Sequence, residues 1–162
     1  MNIRLFFSLL FLAFLQPALA QDPVLTWSAS AEALSEKQWK ITLGTTIPEG
    51  WHMYLADDEE GLQGVKLTPP DASVSLQPLE WITQPIEKKD AIFEKDMKLF
   101  TGEIRASVIM HINGEVPPTL QMLLQYEIAD KEYFLPKEQK IQLVLKEGAA
   151  DTEQKAQRLL IP

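Results

Sequence analysis

Side chains that change character at every second residue constrain this chain more than any other feature. In Trp39, Ile41, Leu43, Thr45 and Ile47 one parity is mainly apolar, while Lys40, Thr42 and Thr46 occupy the other. Successive side chains of a strand point to opposite faces, whereas a helix repeats every 3.6 residues, so this segment predicts a half-buried strand. The pattern recurs in Leu25, Trp27, Ala29 and Ala31, which alternate with Thr26, Ser28, Ser30 and Glu32. It returns in Ile104, Ala106, Val108, Met110 and Ile112, in Leu120, Met122, Leu124, Tyr126 and Ile128, and in Ile141, Leu143 and Leu145. By the same parity His111 faces outward and is expected to be solvated.

Turn signals separate these runs. Ser35-Glu36-Lys37 predicts a hairpin between the first two, Asn113-Gly114 is a hairpin turn, and Pro117-Pro118 prevents a strand from starting at Glu115. Shorter strands are expected at Val65 to Leu67 and at Val74 and Leu76. The cluster Trp51-His52-Met53-Tyr54, after the Pro48-Glu49-Gly50 turn, should lay Trp51 and Met53 on one face and His52 and Tyr54 on the other. Residues 84–96 are charged and irregular and predict a long loop. Its apolar members Ile92, Phe93 and Met97 are either lid residues or anchors, and anchors are the better reading. Roughly eight short strands and no long helix describe an all-β chain, a β-sandwich rather than the alternative closed barrel.

The ends read differently. Arg4 supplies a positive n-region, Leu5 to Leu15 is almost wholly apolar, and Ala18-Leu19-Ala20 presents small residues where a signal peptidase reads. Residues 1–20 are therefore expected to be a secretory signal cleaved after Ala20, the apolar run being short for a transmembrane anchor. The domain is expected over 21–147, followed by a polar tail over 148–162 that is either a short helix or disordered. The chain carries a formal net charge of −8. That balance argues against a nucleic-acid backbone or an anionic membrane surface as partner. It contains no cysteine, so stability must come from the core and no thiol chemistry can run on it.

One stretch looks like a functional site: Gln125 to Pro136, reading Gln-Tyr-Glu-Ile-Ala-Asp-Lys-Glu-Tyr-Phe-Leu-Pro between two strand-like segments. Elsewhere the chemistry is thin. With two histidines, His52 and His111, a multi-histidine metal site is implausible. The acidic run Asp57 to Glu60 lacks the ligand spacing of a calcium loop and reads as solvated. No nucleophile-elbow motif marks a serine hydrolase, and nothing singles out a carboxylate pair for glycoside hydrolysis. No cofactor or metal is expected.

Taken together, four pieces resemble the N-terminal domain of the thiol:disulfide interchange protein DsbD, in the version found in Bacteroidetes-type secreted proteins. They are Val24-Leu25-Thr26-Trp27, then Ile47 through Tyr54, then Asp90-Ala91-Ile92-Phe93 with Leu99-Phe100-Thr101-Gly102, and finally Tyr126 through Pro136. The resemblance runs from about Pro23 to Lys146. It implies an immunoglobulin-like β-sandwich in the periplasm, in a family that hands electrons on through a cysteine pair in a segment like Tyr-x-x-Cys-x-x-x-x-Cys-Leu-Pro. Tyr126, Leu135 and Pro136 match that segment, and the two cysteine positions fall on Ala129 and Phe134. Phe93 stands where the family carries a loop that shields the cysteines. What the resemblance implies here is a non-catalytic domain with an apolar patch at Phe93, Tyr126, Tyr133, Phe134 and Leu135, binding an envelope protein such as a component of redox or cytochrome-maturation machinery. The alternative is a periplasmic hydrolase using carboxylates near Asp57 or Asp130.

Overall fold

The computed structural model describes residues 23–57 and 59–145. The expected signal segment and polar tail lie outside these residues. Among the described residues there are eleven strands and no helix. They are β1 (Ser28–Ser35), β2 (Gln38–Ile47), β3 (Met53–Tyr54), β4 (Lys66–Thr68), β5 (Val74–Leu76), β6 (Glu80–Trp81), β7 (Ile86–Lys89), β8 (Asp96–Phe100), β9 (Gly102–Ile112), β10 (Thr119–Ala129) and β11 (Phe134–Val144).

Three antiparallel sheets result. The first runs β1-β2-β9-β5 with β6 also on β9, the second β11-β10-β4, and the third β3-β8-β7. The first two form the sandwich. Trp39, Ile41, Leu43 and Ile47 of β2, with Ile104, Val108, Met110 and Ile112 of β9, pack on Leu120, Met122, Leu124, Tyr126 and Ile128 of β10 and on Ile141 and Leu143 of β11. These are the apolar parities read from the sequence. Their burial explains why the alternation is so regular, since a one-residue slip would turn every one of them to solvent. The chain is all-β, with the architecture of an immunoglobulin-like sandwich.

Two expectations change. Residues 84–96 are not an irregular loop: β7 and β8 pair in register from Ile86↔Leu99 to Lys89↔Asp96, leaving only a short connection between them. All four residues of β7 are exposed, so no face of the strand is apolar and the alternation that reveals a strand is missing. Its lysines also suit an edge, where charge discourages further pairing. Met97 in β8 is buried, as an anchor should be. The second change concerns Gln125 to Pro136, which is not a stretch between strands but their joined ends. β10 runs to Ala129 and β11 starts at Phe134, so only residues 130–133 form the turn. Pro136 is tolerated in β11 because that strand is at the edge of its sheet.

The third sheet is attached where β10 ends. His52 and Ala129 form an antiparallel bridge, with the His52 amide donating to the Ala129 carbonyl at 2.8 Å and the Ala129 amide donating back at 2.9 Å. This bridge lays β3 against the tip of the β10–β11 hairpin and creates a second, smaller apolar cluster of Tyr54, Leu62, Met97, Leu99 and Ala129 with Phe93 packed against it.

Candidate functional site

At the hairpin tip β10 changes what it buries. From Leu120 to Ile128 every second side chain enters the main core, and then Ala129, on the opposite face, is fully buried as well. It is covered because the third sheet lies on that face. Ala129 and Phe134 stand directly opposite each other in the register of β10 and β11, and residues opposite each other share a face. Phe134 therefore also points toward the third sheet. Its ring stacks on Tyr54 with centroids 6.1 Å apart and planes at 27°, and it remains 39 % exposed. Phe93 meets the same tyrosine edge-on at 5.4 Å.

Tyr54 is the centre of this arrangement. Met53 enters the main core while Tyr54 enters the second cluster, and His52 sits edge-on to Tyr54 at 4.8 Å. The alternation expected for Trp51 to Tyr54 holds, because Trp51 packs on the main core with Met53. Both strand residues are buried because they lie between two apolar clusters.

A polar network runs beneath the rings. The Tyr54 hydroxyl donates to Asp90 Oδ2 at 2.8 Å, and the Ile92 and Phe93 amides donate to Asp90 Oδ1 at 2.8 and 3.1 Å. The Asp90 amide donates to the Lys95 carbonyl at 2.8 Å, closing residues 90–95 into a compact loop. Burial alone would raise the Asp90 carboxyl. The Phe93 amide, the Tyr54 hydroxyl, the Ile92 amide and nearby His52 outweigh it and hold that carboxyl below the usual carboxylate range. Burial, with the bond to Asp90, pushes the Tyr54 phenol well above its ordinary value. His52 Nε2 lies 3.4 Å from Asp90 Oδ2 but is not aligned for a hydrogen bond and has no other partner. Burial holds the imidazole below the ordinary histidine range, against the pull of Asp90.

The patch expected from the sequence is only partly assembled. Phe93 and Phe134 come together over Tyr54, and Tyr133, 56 % exposed, adjoins them in the turn. Tyr126 and Leu135 do not join them. Each has the parity opposite to Ala129 and Phe134: Tyr126 is buried against Trp27 at 5.7 Å, and Leu135 packs on the main core. The patch thus draws on the outer face of the hairpin alone.

Asp57 and Asp130 serve their own turns. Asp130 Oδ1 accepts from the Glu132 and Tyr133 amides at 2.8 and 2.7 Å, bonds that hold its carboxyl below the usual range, and Asp57 Oδ1 accepts from the Glu59 amide at 3.0 Å. Among the described residues no group of three or more acids and histidines could hold a metal ion, and no helix is long and apolar enough to cross a membrane. His111 is half-buried rather than solvated, its Nε2 3.2 Å from Gln38 Nε2 on the neighbouring strand.

Sequence reading missed Tyr54, Asp90 and His52 as a unit. The Tyr54–Asp90 bond joins residues 36 apart in the chain, and no local periodicity marks such a contact. The available signal was a buried-type aromatic cluster and a carboxylate directly before an apolar Ala-Ile-Phe run.

The sandwich, the small third sheet and the hairpin tip beneath it recur together in solved structures. The chain has the fold of the DsbD N-terminal domain. It matches that domain from Neisseria meningitidis, in the reduced form, with a TM-score of 0.52 and 14 % identity over 76 % of this chain and 86 % of that one. It matches the N-terminal periplasmic domain of ScsB from Proteus mirabilis with a TM-score of 0.51 and 16 % identity, covering 82 % of this chain and 50 % of that one. At these identities the likeness to DsbD is one of fold. No protein-family model and no curated protein matches the chain.

Proposed function

We propose that this chain is an exported domain of the DsbD N-terminal type that binds a protein partner in the bacterial envelope and performs no thiol exchange itself. The observation that carries this reading is the facing pair Ala129 and Phe134, in register at the hairpin tip under Tyr54 and Phe93, in a chain without cysteine. Exchange requires a thiolate to attack a disulfide sulfur, and neither side chain can supply one. What stands there instead is a half-exposed aromatic ring backed by two others. Such a ring offers a large contact area at small entropic cost and suits a protein interface. Export rests on the signal pattern ending at Ala20, with the domain over 21–147, and is in keeping with the periplasmic setting named for the ScsB domain. The partner we favour is a component of the envelope redox or cytochrome-maturation machinery.

The positional part of the reading has a direct test. Both backbone groups of Ala129 are committed to His52, so Ala129 and Phe134 form a non-hydrogen-bonded pair, the class with Cα atoms about 4.5 Å apart. That spacing falls inside the range a disulfide spans. The double substitution Ala129→Cys and Phe134→Cys should oxidise to an intramolecular disulfide, visible as loss of two alkylatable thiols. Two free thiols after mild oxidation would refute the correspondence. The binding part is tested by a photo-crosslinking amino acid at Phe134, with exposed Glu103 on β9 as control. A discrete adduct with an envelope protein is expected from position 134 alone. Equal labelling from both positions, or none from 134, would overturn the reading.

A further inference from the structure

His52 sits where a histidine is hard to charge. Its side chain is 15 % exposed, Nε2 has no hydrogen-bond partner, and the Tyr54 ring stands edge-on beside it. The groups that face it come from every neighbouring element: Asp90 from the loop after β7, Lys88 from β7 itself, Asp130 from the β10–β11 turn and Tyr54 from β3. Burial opposes the imidazolium most strongly, the Asp90 and Asp130 carboxylates favour it, and Lys88 adds to the opposition. Directly against His52 lies the carboxylate that ties down residues 90–95 and so holds Phe93 on Tyr54. Glu94 in that loop has φ of 57°, a left-handed conformation that costs a non-glycine residue energy, so the closed form stores strain.

We propose that residues 90–95 form a lid held closed while His52 is neutral, and that mild acid loosens it and uncovers Tyr54 beside Phe134. The sign follows from linkage. With the lid closed, His52 is desolvated and binds a proton weakly. With the lid lifted, its nitrogen reaches water and binds a proton with the affinity of a free histidine, near pH 6.5. As pH falls through that value protons favour the lifted form, and the gain stops growing once the closed form is protonated too. Asp90 does not blur this window, because its carboxyl is held below the ordinary carboxylate range and stays ionised throughout. The consequence for binding rests on the reading of Phe134 as a docking face. The lid itself does not, and it is tested without any partner.

The Ile92 and Phe93 amides report the lid directly, since both are bonded to Asp90. Hydrogen exchange of the purified protein, corrected for intrinsic rates, should show their protection fall by about threefold to tenfold between pH 7.5 and pH 5.5. The amides of Ile41 and Leu124 in the main core should keep theirs. His52→Gln should abolish the change and His111→Gln should preserve it. An NMR titration of the unaltered protein should place the His52 midpoint below that of free histidine, and this holds whether or not the His52 variant folds. Protection that is unchanged or higher at pH 5.5 would overturn the proposal, the higher value showing that imidazolium and Asp90 clamp the lid instead. A His52 midpoint above the free value, or a pH effect that survives His52→Gln, would overturn it as well.

Discussion

Between the two large sheets, long strands bury one whole parity of apolar side chains; under the third sheet, Tyr54, Leu62, Met97, Leu99, Ala129 and Phe93 come from five separate pieces of chain. The main cluster contains residues such as Ile41, Leu43, Ile104 and Leu124 that are fully inaccessible, and neighbours two apart along a strand support each other. The smaller cluster has a tyrosine at its centre and a buried carboxylate beneath it, and it borders solvent at Phe134. The contrast separates stability from responsiveness. Apolar packing alone gives a rigid sandwich, while a cluster built around a charged, hydrogen-bonded group can be shifted by one proton or one lost bond.

The comparison can be broken by substitution. Leu124→Ala empties a fully buried site in the sandwich and should cost about 3 kcal/mol of global stability, read as a lowered urea midpoint at unchanged m-value. A cost equal to that of a surface change would mean the two clusters are not distinct in kind. Tyr54→Phe removes the donor to Asp90 while keeping the ring, and should cost about 2 kcal/mol. Much of that loss should appear locally, as faster exchange of the Ile92 and Phe93 amides. Glu94→Gly should work the other way, relieving the left-handed residue by about 1 kcal/mol and stabilising the closed loop. Slower exchange at Ile92 is the expected readout. Phe134→Ala should matter least to folding, by less than about 1 kcal/mol, because the ring is partly exposed. If Phe134 is a docking residue, the same substitution should abolish partner capture, so that stability and binding respond in opposite measure.

Gly64 shows how close the chain pieces come around the smaller cluster. It has φ of 62°, and an added Cβ would lie 2.9 Å from the Ala56 amide nitrogen, so only glycine fits where residues 55–64 fold back on themselves. The Asp57↔Leu62 bridge makes that turn, and it delivers Leu62 into the cluster. Nothing in an acidic run followed by glycine reveals that the next leucine is buried.

Legibility in the sequence follows burial on one face. β2, β9 and β10 were readable because each has one apolar and one polar side, and the inward set in each is the set the core uses. β7 was not, because both of its sides are exposed. At the candidate site the sequence placed Ala129 and Phe134 on one short stretch and included Phe93, yet it also assigned Tyr126 and Leu135 to the patch. Parity along the hairpin sends those two inward. His52, Tyr54 and Asp90 were invisible as a group because tertiary contact alone joins them.

By itself, then, the sequence determined an all-β chain, the inward parity of its long strands and the impossibility of thiol chemistry, because alternation and the absence of sulfur are properties of residues in order. The tertiary structure decided that a third sheet folds over the end of β10, which side chains of the hairpin it covers, and that a buried carboxylate holds the loop bearing Phe93 beside a histidine that burial keeps neutral. Those outcomes depend on pieces far apart in the chain meeting at one hairpin tip, where desolvation and hydrogen bonding act on groups that are unremarkable in isolation.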